Sequence, residues 1–309
     1  MALAPFGYQQ APVSLYEVGP RDGLQNENKT VDTTHKLNYV LALIRSGLTR
    51  IEVTSFVNPK WIPQLADAEA LCLQLAHALP SLAGLRLSGL VPNVKGYLRL
   101  KPTLLNEVGI VLSASSTHHQ KNMNRKVEES LHEYRDLMAM AKADKRFVRA
   151  YISTAFFCPY EGAIAPSCVI DLALQLHALG ADEISIGDTI GAATPYQVVH
   201  LCEQLDKQLG LADVALHFHD TKGMAIANIL AGYHMGVRTF DASSGGLGGC
   251  PYAPSATGNV ATEDVVYLFK GMGVYTGVDL QALCQASLSL APLVSQSLSS
   301  HVLKSLPLI

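Results

Sequence analysis

Eight short apolar, β-branched runs punctuate this chain, separated by segments of helical periodicity, and no other feature of the sequence narrows the fold so far. The runs are VSLYEV (13–18), RIEVTSF (50–56), LRLSGLV (85–91), EVGIVLSA (107–114), VRAYISTA (148–155), EISIGD (183–188), VALHFH (214–219) and RTFDAS (238–243). Between them, THKLNYVLALIRSG, LADAEALCLQLAHAL and IDLALQLHALG carry apolar residues at helical spacing, and several such segments close on Gly just before the next run. Strand alternating with helix implies parallel pairing, because a parallel neighbour is reached only by a crossover. Repeated over about 250 residues, the pattern leaves two architectures, a closed (β/α)8 barrel and an open doubly wound sheet.

Polar residues decide between the two. Arg21 and Asp22 follow the first run, Glu52 and Ser55 lie in the second, Asp188 closes the sixth, His217 and His219 close the seventh, and a glycine-rich stretch follows the eighth. A barrel gathers all of these around its C-terminal mouth, whereas an open sheet would spread them along a line. The expected α/β fold is therefore a (β/α)8 barrel over about residues 13–270, with a Leu/Ala/Ser-rich helical extension over about 271–309, in one catalytic domain.

Composition supports this and excludes much else. With 309 residues, 49% hydrophobic and 16% charged, at a formal net charge of -3, the chain has ample material for a large core and no basic patch for nucleic acid. No apolar run reaches the ~18 residues of a membrane span. The opening MALAPFGYQQAP has neither the cationic start and apolar core of a signal peptide nor the arginines of a transit peptide, so a cytoplasmic location is expected. Cysteines 72, 158, 168, 202, 250 and 284 are scattered without a CxxC, the pattern of reduced thiols, mostly in the core. Cys250 stands apart, flanked by GGLGG and PYAPS in a glycine-rich loop, where it reads as a thiol of a mobile lid.

The run LHFHDT places His217 and His219 two residues apart, hence on one face of a strand, where two imidazoles can share a metal. Asp22 in GPRDGLQNE and the side-chain carbonyl of Asn259 in SATGNVATED would complete a mixed nitrogen and oxygen set. Such a set suits a hard divalent cation, Mg²⁺ or Mn²⁺, better than a structural zinc. Taken singly, Asp22 and Asn259 could each be no more than a cap of the element that follows. Convergence at one barrel mouth is what joins them.

The segments GPRDGLQNE, IEVTSFVNPKWIPQLAD, SIGDTIG, HFHDT and GLGGCPYAPSATGNVATED resemble, in order, those of the 3-hydroxy-3-methylglutaryl-CoA lyase family of metal-dependent lyase and Claisen-condensing barrels. The resemblance implies a divalent cation on Asp22, His217, His219 and Asn259, and an acyl-CoA substrate. It implies that Arg21 meets the thioester carbonyl, that Asp188 takes part in proton transfer, that Glu52 supports the metal site and that Cys250 is the reactive thiol. Gln25, Ser55 and Glu263 fall in matching motifs as supporting residues. The activity implied is retro-Claisen cleavage of 3-hydroxy-3-methylglutaryl-CoA to acetyl-CoA and acetoacetate, by a homodimer in analogy with relatives. The base that removes the hydroxyl proton is left between Asp188 and His217. Alternatives are the same cleavage on citramalyl-CoA or an isohexenyl homologue, a Claisen-condensing synthase of the isopropylmalate synthase type, and a barrel that only binds.

Two stretches depart from the family pattern. SASSTHHQKNMN (113–124) is read as a loop near the mouth that shapes the acyl or CoA pocket, with His118 and His119 solvated. The glycines of DASSGG, just before GLGGC, are read as loosening the hinge of the lid.

Overall fold

The computed structural model describes residues 11–249 and 258–305. All eight runs become strands of one closed parallel barrel: β1 (Ser14–Glu17), β2 (Arg50–Ser55), β3 (Arg86–Leu90), β4 (Glu107–Ser113), β5 (Phe147–Ser153), β6 (Glu183–Asp188), β7 (Val214–Phe218) and β8 (Thr239–Ala242). Each strand pairs with the next in sequence, and β8 returns to β1 with Tyr16 opposite Asp241. Helices alternate with the strands: α1 (Thr33–Arg45), α2 (Ala68–Ala78), α3 (Val94–Leu100), α4 (Ser116–Met123), α5 (Val127–Ala143), α6 (Pro166–Ala178), α7 (Pro195–Gln208) and α8 (Ala225–Met235). After β8 come α9 (Thr262–Gly271), α10 (Leu280–Leu290) and α11 (His301–Ser305). No helix among the described residues is long and apolar enough to cross a membrane.

The strand period of two sorts each strand into an outer and an inner set. Val148, Ala150 and Ile152 of β5 join Ile51, Val108, Ile110, Ile184, Ile186, Leu216 and Phe240 in one apolar layer beneath the helices. Leu43 of α1, Leu75 of α2, Leu137 of α5 and Leu205 of α7 close that layer from outside. The alternate residues face the lumen, and many are charged. Arg149 is fully buried, with Glu183 at 2.8 Å, Asp241 in contact and the Tyr16 ring centroid 3.7 Å from its guanidinium carbon. Arg50 meets Glu183 at 2.8 Å and Glu107 at 3.6 Å. Barrel lumens are usually filled by branched apolar residues. Here cations and carboxylates from neighbouring strands fill the space, and the desolvation of each charge is offset only because an opposite charge faces it.

Two expectations are corrected here. Residues 116–123 form helix α4, started by Ser115, whose hydroxyl accepts the His118 N–H at 3.0 Å, so the segment is no loop. His118 and His119 are both buried: His118 Nδ1 meets Ser113 Oγ at 3.1 Å and His119 Nε2 meets Ser130 Oγ at 2.8 Å. The pattern failed because histidine reads as polar in a sequence, while its ring packs well wherever one nitrogen finds a hydroxyl. The glycines of DASSGG are likewise packed. Ser244–Gly246 is a buried single turn, and a Cβ on Gly246 would lie 2.0 Å from Ser299 Oγ at φ +69°. These glycines admit a close approach of the C-terminal segment, which a looser hinge would not need. Of the cysteines, 72, 158, 202 and 284 are buried and unbridged as expected, whereas Cys168 is exposed.

Candidate active site at the barrel mouth

The chain leaves β1 through a π-helical turn, Gly19–Gly23, in which the Val18 carbonyl accepts the N–H groups of Arg21 (3.1 Å), Asp22 (2.8 Å) and Gly23 (3.1 Å). Pro20 suits the first turn of such a segment because its missing N–H would find no partner there. The turn is clamped from below by Glu17, which accepts from Gly19 N at 2.8 Å, Ser244 N at 2.8 Å and Thr262 Oγ1 at 2.6 Å. Consecutive Arg21 and Asp22 both line the mouth as a result. Arg21 gives Nε to Glu52 Oε2 at 2.6 Å and Nη1 to Asp22 Oδ1 at 2.7 Å. Nη2 makes no hydrogen bond among the described residues.

Across the mouth, His217 and His219 project from β7 and its end on the same side, with ring centroids 5.4 Å apart. One ligating atom from each of Asp22, His217 and His219 lies within 4.8 Å of the other two. Asn259 enters through an isolated bridge to His219, and its Nδ2 donates to Asp22 Oδ2 at 2.8 Å and to the Leu247 carbonyl at 3.0 Å. That leaves Asn259 Oδ1 and His219 Nδ1 buried without a hydrogen-bond partner among the described residues. Orphaned polar atoms of this kind cost about 1–3 kcal/mol each. Beside a carboxylate, they fit a divalent cation.

Electrostatics agree. Desolvation pushes the Asp22 carboxyl up, but Arg21 first and then the two imidazoles outweigh it and hold it at about 2, so it is ionised at neutral pH. Burial, reinforced by His217, lowers His219 to about 4 and keeps its ring neutral, the form that binds metal. His217 is raised against the effect of its own burial, through a hydrogen bond to Asp241.

The remaining residues singled out from the sequence are distributed as follows. Gln25 lines the mouth with Arg21, Asp22, His217 and His219. Glu52 is fully buried behind Arg21. Asp188 ends β6, fully buried, with both oxygens accepting loop N–H groups, Ala192 at 3.0 Å and Ala193 at 2.9 Å. Its neighbours Gly187 and Thr189 form the wall there. Ser55 is buried at the end of β2, its hydroxyl accepting Val57 N–H at 3.3 Å. Glu263 lies behind the mouth, where it accepts the Gly245 N–H at 3.0 Å and the Ser287 hydroxyl. Cys250 lies outside the described residues; Gly249, one position earlier, lines the mouth and accepts Asn26 Nδ2 at 2.9 Å.

A model of the HMGL-like family matches residues 12–289 of the sequence. The chain belongs to the HMGL-like family. Among its HMGL-like relatives, the protein named hydroxymethylglutaryl-CoA lyase YngG of Bacillus subtilis is 45% identical over 275 residues, 89% of this chain and 91% of that protein. The crystal structure of the Bacillus subtilis HMG-CoA lyase superposes with a TM-score of 0.92 at 42% identity, covering 97% of this chain and 99% of that one. An HMG-CoA lyase of Acinetobacter baumannii, solved in complex with coenzyme A and 3-methylmalate, gives a TM-score of 0.90 at 36% identity, covering 97% of each chain.

Sequence reasoning passed over four residues that shape this HMGL-like mouth. Tyr151 lines it beside Arg21, its buried hydroxyl without a partner among the described residues. Arg149 and Asp241 lie deeper in the lumen, and Glu17 clamps the Arg21 turn. A signal was present in VRAYIS and RTFDAS: a charged residue in a strand whose alternate neighbours face the helices has only the lumen to face.

Proposed function

We propose that this chain cleaves 3-hydroxy-3-methylglutaryl-CoA to acetyl-CoA and acetoacetate. The observation that carries the reading is the convergence of Asp22, His217 and His219 within 4.8 Å of one another beside Arg21 at a barrel mouth. Identity of 45% to a protein named hydroxymethylglutaryl-CoA lyase supports it, and the neighbour holding coenzyme A supports an acyl-CoA ligand.

The reaction ionises the C3 hydroxyl, breaks the C2–C3 bond with its electron pair passing to the thioester enolate, leaves C3 as a ketone carbonyl and protonates C2. Asp22, His217, His219 and Asn259 Oδ1 would hold Mg²⁺ or Mn²⁺, whose Lewis acidity lowers the energy of the substrate's ionised hydroxyl. Arg21, fixed by Glu52 and Asp22, presents Nη2 as preorganised positive charge for the enolate oxygen. Asp188, its carboxyl raised by burial, is assigned the hydroxyl proton. Because both its oxygens hold N–H groups of the 188–193 loop, proton uptake is coupled to that loop. Cys250 is assigned the proton that reaches carbon. The barrel and its C-terminal helices are read as one catalytic unit, with a homodimer and a cytoplasmic location as parts of the same proposal.

The test is release of acetyl-CoA by metal-stripped protein given Mg²⁺ or Mn²⁺ and offered 3-hydroxy-3-methylglutaryl-CoA, citramalyl-CoA and a longer branched homologue in parallel. Cleavage of the first, abolished by chelator and by Cys250→Ala, is the expected result. If all three thioesters survive while the protein binds Mn²⁺, the lyase reading fails.

A further inference from the structure

We infer that Asp241 is a positioning residue that fixes the His217 imidazole with Nδ1 protonated and the Nε2 lone pair left for the cation. The inference rests on the reading that Asp22, His217 and His219 hold a divalent cation, and it adds the element that aims one of those ligands.

Asp241 and His217 are register partners on the adjacent strands β8 and β7, so their side chains stand at one level of the lumen. Asp241 is buried, and its two oxygens meet three groups from three other strands. Oδ1 accepts from Arg149 Nη2 of β5, while Oδ2 accepts from Ser185 Oγ of β6 at 3.0 Å and meets His217 Nδ1 at 3.2 Å. Arg149 is a permanent cation that can only donate, and it is itself held by Glu183 at 2.8 Å and stacked on Tyr16. A carboxylate so held has only acceptor sites, which makes His217 Nδ1 the donor. With Nδ1 spoken for, Nε2 is the one ring nitrogen that His217 can offer to the point shared with Asp22 and His219. Carboxylate partners of ligating imidazoles commonly set tautomer and ring direction in this way. The charged chain Glu183–Arg149–Asp241–His217 thus runs through the lumen to the mouth, which gives a site-directed reason for charge where barrels usually place branched apolar residues.

Asp241→Asn tests this, because the amide keeps the size of the side chain and can turn a donor toward Nδ1. Mn²⁺ affinity is measured in substrate-free protein by paramagnetic resonance, and the His217 ring nitrogens are followed by ¹⁵N NMR. The expected result is a 10–100-fold weaker Mn²⁺ affinity, the range for removing such a partner, with loss of the Nδ1–H signature. In a His217→Ala background the same substitution should weaken Mn²⁺ binding no further. A merely structural Asp241 would lower Tm and leave the affinity of the folded protein unchanged, and that outcome overturns the inference. Where Asp241→Asn does not fold, the wild-type spectrum decides: an Nε2–H tautomer at His217 overturns the inference, and an Nδ1–H tautomer supports it. Wild-type protein that takes up no Mn²⁺ defeats the cation reading itself, whereas Mn²⁺ binding indifferent to Asp241 defeats only this step.

Discussion

Arg21 is held by two carboxylates at once, Glu52 on Nε and Asp22 on Nη1, and this geometry is specific to a guanidinium. A lysine ammonium is a single point on a flexible stem and cannot span both partners while presenting a third donor to the mouth. Arg21→Lys should therefore lower kcat by about 10²–10³, the cost of removing a preorganised donor to a developing oxyanion, with a much smaller change in KM. Steady-state kinetics with 3-hydroxy-3-methylglutaryl-CoA check this; a kcat within tenfold of wild type would mean that charge alone, and not its fixed direction, is what the mouth needs. The arrangement of Arg21 and Asp22 was legible in the motif GPRDGLQNE as a pair of residues. Their engagement with Glu52, on the adjacent strand β2, was not, because a contact between residues 31 positions apart depends on the register of the two strands and on where the turn after β1 carries Arg21.

At the level of the element, the segment after β8 works as a close-packed bracket. Gly248 has φ +117°, and a Cβ there would fall 2.6 Å from Asn259 Nδ2, the amide that donates to Asp22. Gly248→Ala should cost about 1–2 kcal/mol in backbone strain alone. It should also displace the Asn259 amide and weaken Mn²⁺ binding at least tenfold. Gly249→Ala is the control, since a Cβ there meets nothing within 4 Å among the described residues. Titration of both variants with Mn²⁺ separates the cases: equal affinity in the two would show that the bracket does not position Asn259. From the sequence these glycines suggested looseness, since glycine count reports what a backbone is able to do and not what packs against it.

Across the whole molecule, buried titrating groups set the pH range of stability. Burial raises the Glu263 carboxyl from an ordinary 4.5 to about 8, against hydrogen bonds from Ser287 and Gly245, and it raises Glu17 to about 7. For such groups the folded state holds more protons than the unfolded chain between the two pKa values. Their contribution is complete below about pH 4.5 and is lost as pH rises through about 7–8. Burial, with lesser help from His118 and Arg125, lowers His119 from 6.5 to about 4, so its contribution is present above about pH 6.5 and is lost as pH falls toward about 4. Thermal unfolding followed against pH should show Tm highest in the mildly acidic range and declining toward pH 8. Glu263→Gln should flatten that alkaline decline, with Glu17 leaving a residual slope. An unaltered slope in the variant would show that Glu263 does not carry the proton.

The sequence by itself determined the eight strands, their parallel closure and the polar residues at the strand ends that meet at the mouth, because strand and helix periods are local and a barrel turns the end of every strand to one face. It placed Asp22, His217 and His219 together for the same reason, since each lies at the end of a run or in the turn that follows one, and joined Asn259 to them through the motif SATGNVATED that leads into α9. Only the tertiary structure decided what holds them. The partnership of Asp241 with His217, the clamp of Glu17 under the Arg21 turn, the burial of His118 and His119 and the tight seat of the glycines after β8 all depend on contacts between residues far apart in the chain. Hydrophobic periodicity marks which face of an element is buried, but the partner of a buried charge is set by register and packing between elements, which no single segment contains.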